Sequence, residues 1–330
     1  MIITRTPFRV SFFGGGTDYP VWYRDHGGAV LSTSIDKYCF ITVRDLPPFF
    51  DYKFRVQYFR REETQTIEEI KHPSVRECLR FMNISRGLEI VHSADLPAQS
   101  GLGSSSTFTV GLLNALYGLQ YKLPTKRELA LNAIHVEQQL IQENVGSQDQ
   151  TAAAFGGLNY IEFGGLQHIS VQPMLMRPDK LAALQDHLML FFTGFSRVAS
   201  DIAAEQIQRT AEKATALHRM RSLVNDAVTT LLSGDDDLDD FGRLLHEQWL
   251  IKRDLTDLIS NPNIDQIYTQ GLQSGAIGGK LLGAGGGGFM LFFVHPENHN
   301  KIREALRHLL YVPFRFEQLG SQVIYYGYHS

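Results

Sequence analysis

The sequence predicts a protein of mixed strands and helices in two domains, with a cleft between them. Three observations lead there. Its 330 residues exceed one small core and suit two domains, which usually run about 100 to 200 residues each. Apolar residues recur with period 2 in some stretches and near 3.6 in others, in both halves of the chain. The 29 glycines follow no collagen-like period, and the clusters they form at junctions between elements each require a local reason. The boundary falls near residue 180, giving domains 1–180 and 181–330.

Ile2 to Phe12 opens the chain with Phe8, Val10 and Phe12 on one face and Arg9 and Ser11 on the other, a half-buried strand that turns Arg9 away from the apolar side. Residues 30–44 and 54–60 read as further strands, 67–82 as a helix and 88–92 as a strand. A helix from Ser104 to about Gln120 carries an apolar stripe of Phe108, Leu112, Ala115, Leu116 and Leu119, and a second runs from Thr125 to about Gln142. In the second half, 188–192 is an apolar strand and 199–259 is largely helical. Residues 276–282, 289–294 and 323–328 are strands, with a helix over 297–309. The acidic run Asp235 to Asp240 is a solvated helix start, where carboxylates meet the positive end of the dipole.

Composition removes several classes of function. A formal net charge of −4 leaves no basic face for nucleic acid. Cys39 and Cys78 are the only cysteines, so neither a C-x-x-C pair nor a disulfide framework can form, and a reducing cytoplasm fits. Met1 to Val10 holds two arginines and a proline where a signal peptide needs an apolar core of about 7 to 15 residues, and no apolar run of about 18 occurs. The expectation is a soluble cytoplasmic protein with no membrane partner.

The first glycine cluster, Gly14-Gly15-Gly16-Thr17-Asp18-Tyr19-Pro20, follows the opening strand. It is either a flexible turn or a place where backbone approaches a ligand closely, with Asp18 accepting from hydroxyl groups. The second, Pro97-Ala98-Gln99-Ser100-Gly101-Leu102-Gly103-Ser104-Ser105-Ser106, lies between a strand and a strongly periodic helix. Free N–H groups and the helix dipole make such a junction an anion site, with serines adding hydroxyls and a metal ligand. A loop with an ordinary serine cap is the alternative; the order strand, glycines, serines, helix favours phosphate. The third contains Gly283-x-Gly285-x-x-Gly288 and formally matches the dinucleotide fingerprint, but a strand-like run, Phe289 to Val294, follows it where that fingerprint requires a helix. No Walker sequence occurs.

Two carboxylates stand out. Glu137 falls in the middle of an apolar stripe of Leu129, Ala130, Ala133, Ile134, Leu140 and Ile141, where a charge needs an ion pair, hydrogen bonds or a cation; a metal ligand is the favoured reading. Asp149 precedes a run of small residues and is either a helix cap or a general base beside a magnesium-phosphate site.

Taken together, Thr6-Pro7-Phe8-Arg9-Val10 with Gly14 to Tyr19, Pro97-x3-Gly101-Leu102-Gly103-Ser104-Ser105-Ser106, and Gly283 to Gly288 resemble in order the three motifs of GHMP kinases (galactokinase, homoserine kinase, mevalonate kinase, phosphomevalonate kinase). The resemblance implies an α+β fold, with a ribosomal-S5-like N-terminal domain, a ferredoxin-like C-terminal domain, and ATP and substrate in the cleft. It likens Asp149 to the catalytic Asp, and Glu137 and Ser105 to magnesium ligands. Galactokinases carry Gly-Glu-His-Thr-Asp-Tyr where this chain has Gly14 to Tyr19, so the side chains that read the far end of galactose are missing and room is left for a bulkier substituent. Where mevalonate kinases have a lysine near the start this chain has Arg9, which points to the sugar branch. Phe12 to Tyr19 with His26-Gly27-Gly28-Ala29-Val30 looks most like D-glycero-D-manno-heptose 7-phosphate kinases, which phosphorylate the anomeric hydroxyl; fucose-type kinases are near.

The mechanism so implied puts ATP phosphates on Pro97 and Gly101 to Ser106, magnesium on Ser105 and Glu137, and a sugar or sugar phosphate against Gly14, Gly15, Gly16, Thr17, Asp18, Gly285 and Gly286. Asp149 takes the hydroxyl proton and Arg9 orients the hydroxyl and stabilises charge. Arg24 and Lys37 are weak candidates for a substrate phosphate. A fucose- or galactose-type kinase and a non-catalytic sugar sensor remain as alternatives, and a homodimer is one assembly the sequence allows. A serine hydrolase is set aside because no Gly-x-Ser-x-Gly elbow exists.

Overall fold

The computed structural model describes residues 1–98, 100–165, 168–194 and 199–327. The first half runs β1 (Ile2–Phe13), α1 (Pro20–His26), β2 (Gly28–Asp45), β3 (Phe54–Gln57), β4 (Arg61–Thr64), α2 (Pro73–Phe81), β5 (Leu88–Ala94), α3 (Ser104–Leu119), α4 (Lys126–His135), α5 (Gln148–Phe155), β6 (Leu158–Gly164) and β7 (His168–Pro173). The second holds α6 (Pro178–Asp186), β8 (Leu188–Gly194), α7 (Ala199–Gln208), α8 (Ala214–Leu232), α9 (Asp239–Arg253), α10 (Pro262–Gln273), β9 (Ala276–Leu281), β10 (Gly288–Val294), α11 (His299–Ala305), β11 (Leu310–Tyr311), β12 (Phe316–Glu317) and β13 (Gln322–Tyr326). No helix among the described residues is long and apolar enough to cross a membrane.

Nine strands form the first sheet, in the order β13-β1-β2-β5-β3-β4, with β6 and β12 also on β2 and β7 on β6. β2 serves two partners in succession: Gly28 to Thr33 pairs with β6, and Cys39 to Asp45 with β5. α3 lies between this sheet and its neighbouring helices, and from Ser106 to Tyr117 every residue is buried. A helix apolar nearly all round can persist only in such a sandwich. The second sheet is antiparallel, ordered β11-β8-β10-β9, and its chain order of strand, helices, two strands, helix and strand is ferredoxin-like. All of β10 is buried, as suits a central strand covered on both faces. The α+β class therefore holds.

Several boundaries differ from expectation for local reasons. The helix expected over 67–82 begins only at Pro73, because His72 caps it and proline is suited to the first helical position while discouraging helix before it. The strand expected over 54–60 is a hairpin, β3 turning into β4. The helix expected to reach Gln142 changes at Val136 into a π-helical turn, Val136–Leu140. β12 and β13, from the half assigned to the second domain, return to pair with β2 and β1 in the first sheet, so the sheets do not divide at residue 180. Of the strand expected over 323–328, Tyr328 lies outside the described residues.

Candidate active site

β5 delivers the chain to α3 through the second glycine cluster. Gly101 and Gly103 sit at φ +83° and +79°, a left-handed backbone that a side chain would strain. A Cβ on Gly103 would meet Asp149 Oδ2 at 3.3 Å and Arg9 Cγ at 3.4 Å, so the bare backbone gives both groups room beside the loop. Gly101, Gly103, Ser104, Ser105 and Ser106 line a cleft of about 360 Å³, which the N-terminus of the 16-residue α3 faces as a ready anion site. Pro97 and Leu102 shape the loop instead. The Pro97 carbonyl accepts from Ser100 Oγ at 2.8 Å, and Leu102 is wholly buried in the core.

Arg9 crosses to this loop from β1. Its Nε and Nη2 donate to Asp149 Oδ1 and Oδ2, both at 2.8 Å, and its Nη1 to the Gly101 carbonyl at 2.8 Å. Arg9 is 4% exposed. A planar guanidinium paired side-on with a carboxylate fixes both groups. Asp149 occupies the first turn of α5, whose cap residue is Ser147, so the cap reading of Asp149 does not describe its place. Arg9 takes two of the carboxylate's roughly four lone-pair positions, and Asp149 lines the cleft.

The first glycine cluster supplies the opposite wall. Gly15, Gly16 and Asp18 line the cleft. Asp18 Oδ1 accepts from the Gly16 N–H at 2.9 Å and Oδ2 from the Gln148 N–H at 3.3 Å. Burial first, then the Asp149 charge, raises its carboxyl above the ordinary range. Gly14 and Thr17 build the turn: the Thr17 hydroxyl proton is shared between the Gly14 and Ala29 carbonyls, 2.8 and 3.0 Å from Oγ1. Of the third cluster, Gly283, Ala284, Gly285 and Gly287 reach the cleft, while the Gly286 N–H bonds to the Ile259 carbonyl at 2.9 Å. That cluster links β9 to β10, strand to strand, as the missing helix required. It packs directly on the second cluster, since a Cβ on Gly283 would fall 2.3 Å from Gly101 Cα.

Glu137 sits in the π-helical turn, a feature common at functional sites, and is wholly buried. Ser106 Oγ donates to its Oε2 at 2.8 Å, Gln150 Nε2 bonds the same oxygen, and the Thr109 hydroxyl also approaches the carboxylate, while Oε1 has no well-formed hydrogen bond among the described residues. Burial pushes its carboxyl up to about 7. Of the two serines on the cleft wall, Ser106 bonds to Glu137 and Ser105 is exposed on the cleft. Arg24 and Lys37 lie off the wall.

Two lysines that the motifs did not reveal line the same cleft. Lys252 from α9 donates to the carbonyls of Leu281 and Gly283 at 3.0 and 2.5 Å. Lys280 from β9 donates to those of Ser11 and Phe12 at 2.9 and 2.8 Å. A signal for each existed. Lys252 extends the buried stripe of Phe241, Leu245, Gln248 and Trp249 on α9, and Lys280 stands in the apolar strand β9, the same kind of anomaly that marks Glu137.

A glycine- and serine-lined helix start, an Arg–Asp pair beside it, and a carboxylate behind it are now in one place. Residues 69–157 match the model of the GHMP kinases N terminal domain, and residues 226–312 that of the GHMP kinases C terminal domain. The chain belongs to the GHMP kinases. The D-glycero-alpha-D-manno-heptose 7-phosphate kinase of Campylobacter jejuni is 30% identical to it over 319 residues, covering 93% of each chain. A galactokinase of Pyrococcus furiosus is 25% identical, covering 92% of each. Among solved structures, a D-glycero-D-manno-heptose 1-phosphate kinase from Bacteroides thetaiotaomicron superposes with a TM-score of 0.81 at 24% identity over the whole of both chains. As a GHMP kinase the protein is an ATP-dependent kinase.

Proposed function

We propose that this GHMP kinase transfers the γ-phosphoryl group of ATP to the anomeric hydroxyl of a sugar phosphate, with D-glycero-D-manno-heptose 7-phosphate the preferred acceptor and a 1,7-bisphosphate the product. The observation that carries the reading is the side-on Arg9–Asp149 pair held against the Gly101 carbonyl, which puts a base and a cation beside the phosphate loop. Asp149 accepts the hydroxyl proton as the sugar oxygen bonds to phosphorus and the bond to the β-phosphate oxygen breaks. Arg9 keeps Asp149 oriented and stabilises charge that grows on the transferring group. The backbone N–H groups at the start of α3, with Ser104 and Ser105, hold the nucleotide phosphates.

Gly15, Gly16, Asp18 and Gly285 form the acceptor side. A Cβ on Gly15 would meet only Gln148 Nε2 at 3.5 Å and Ser11 Oγ at 3.8 Å, so this wall leaves space for the longer tail of a heptose. That space and the likeness to the Campylobacter jejuni enzyme support the heptose assignment. The residues fit magnesium as well. Among the described residues Glu137 is wholly buried with no cationic side chain beside it, carries an oxygen without a well-formed hydrogen bond and has a carboxyl raised to about 7, a state that a nearby dication relieves, and magnesium is commonly held by one or two carboxylates together with substrate phosphates. Glu137 with Ser105 or Ser106 would hold it. When bound, the ion neutralises the phosphate oxygens as charge moves between them.

A phosphorus NMR screen with ATP, magnesium and a panel of heptose 7-phosphate, mannose, fucose and galactose tests the proposal. The heptose phosphate should give a new anomeric phosphate signal with the highest kcat/KM. Faster turnover of galactose would overturn the substrate assignment, and no transfer to any sugar would overturn the anomeric-kinase reading.

A further inference from the structure

We propose that Lys252 and Lys280 form an anion-binding wall, supplied by the second half of the chain, that receives the phosphoryl group in transit between nucleotide and acceptor. This rests on the kinase reading above and adds two residues to it. Both side chains line the cleft and both are nearly closed off from solvent, at 6% and 2% exposure. An ammonium has three N–H donors. Lys252 gives two to the Leu281 and Gly283 carbonyls and Lys280 gives two to the Ser11 and Phe12 carbonyls; neither has a further acceptor, or an ion pair, among the described residues.

A buried ammonium without a counter-charge is costly, and the free protein registers the cost. Burial, then the Arg9 charge, pulls Lys252 down to about 7. Lys280 is driven well below the ordinary lysine range by burial and by the charges of Lys252 and Arg9, with Asp18 opposing. The remaining charged groups on the wall are Asp149, already paired with Arg9, and Glu143 on the segment after α4. Carbonyl anchors hold the amines in place but cannot neutralise them. A fold that aims two such groups into a cleft is complete only when an anion enters it.

Position identifies which anion. Lys252 is fastened to Gly283, which packs on Gly101 of the phosphate loop. Lys280 is fastened to Ser11 and Phe12, the residues of β1 between Arg9 and the Gly14–Gly16 turn. The two ammonium groups therefore flank Arg9, one on the nucleotide side and one on the acceptor side. Cations preorganised along that line stabilise a phosphoryl group as it crosses, and they need no rearrangement at the moment of transfer.

The test is calorimetric titration of MgATP at pH 7.5 in two buffers of different ionisation heat, with wild type, Lys252→Met and Lys252→Arg. Binding a polyanion restores the charge of a lysine whose pKa lies near 7, so the wild type should take up roughly half a proton or more per ATP beyond either variant. Proton exchange at Glu137 is common to all three proteins and cancels, and repeating the three titrations in a Lys280→Met background removes the exchange at Lys280, which the Lys252 charge alters. Lys252→Arg, permanently charged, should lose the uptake yet keep ATP affinity within about threefold, and should retain more turnover than Lys252→Met, whose kcat should fall about 100-fold with KM nearly unchanged. Lys280→Met should show the same split between kcat and KM. Equal proton uptake in all three proteins, or kcat in both Met variants within about threefold of wild type, would overturn the proposal. The ATP titration needs no acceptor, so a wrong sugar leaves it intact, whereas a protein that does not bind ATP would show no heat at all.

Discussion

The wall of the cleft made by residues 101–106 offers backbone N–H groups and serine hydroxyls, while the wall made by α9 and β9 offers two ammonium groups held by carbonyl oxygens. The first is local: glycines at positive φ and a helix start within a few residues create it. The second is assembled from afar, since Lys280 is anchored to Ser11 and Phe12 from the other end of the chain. Backbone-built anion sites leave a pattern in the sequence because glycine and capping chemistry repeat. Side-chain sites leave only a polar residue where the periodicity expects an apolar one.

Arg9 joins the two walls, and removing it should have the largest effect. Arg9→Met loses both bonds to Asp149 and the one to the Gly101 carbonyl, and kcat/KM should fall about 1000-fold. Steady-state kinetics on folded protein checks this, and a fall below about tenfold would separate the Arg–Asp pair from the chemistry.

Gly283→Ala sharpens the mechanical side of the comparison. The new Cβ would lie 2.3 Å from Gly101 Cα at a backbone φ of +74°, so one loop must move off the other. KM for ATP should rise about tenfold and the melting temperature should fall by several degrees. An unchanged KM would show that the third cluster does not brace the phosphate loop.

Glu137→Gln should raise the magnesium concentration needed for half-maximal rate severalfold while the fold persists, because the amide keeps the bonds to Ser106 and Gln150 in reach but loses the charge that draws a dication. A magnesium titration beside a thermal melt separates this from a purely structural role, in which melting changes and the metal dependence does not.

The smallest effect concerns stability against pH. Lys252 titrates near 7 when folded and free of ligand and near the ordinary lysine value of about 10.4 when unfolded. Between those values the unfolded chain binds more protons, so this group's contribution to stability rises with pH and is lost as pH falls through about 7. Relative to Lys252→Met, the wild type should gain a few degrees of melting temperature between about pH 7 and 9.5. A constant difference would mean that Lys252 is charged and satisfied without a ligand.

Much of the architecture could be read from periodicity. β1, α3, β8, β9 and β10 fall where the apolar pattern puts them, and Asp239 and Asp240 do begin α9. What escaped was governed by contacts distant in sequence or by a single residue. β12 and β13 rejoin the first sheet, which no local pattern announces; the π-helical turn that holds Glu137 looks in sequence like continued α-helix. At the site, Gly101, Gly103, Ser104 to Ser106, Gly15, Gly16, Asp18 and Gly285 of the glycine motifs line one cleft, yet the motifs did not distinguish these from Pro97, Leu102, Gly14, Thr17 and Gly286, which shape the loops and turns. Glycine pattern marks where backbone bends and leaves open which bend meets a ligand. Lys252 and Lys280 interrupt apolar patterns in the sequence just as Glu137 does.

In the proposed mechanism Asp149, held by Arg9 beside the phosphate loop, takes the acceptor's proton during phosphoryl transfer. Single-turnover transfer from ATP to heptose 7-phosphate by Asp149→Asn tests it most directly, because slow product release can hide a chemical defect at steady state. The amide preserves size and one acceptor but cannot take the proton, so the single-turnover rate should fall about 100-fold or more while ATP and sugar affinities stay within a few-fold. A near-normal single-turnover rate would contradict the account and leave Arg9, the lysines and positioning to carry the transfer.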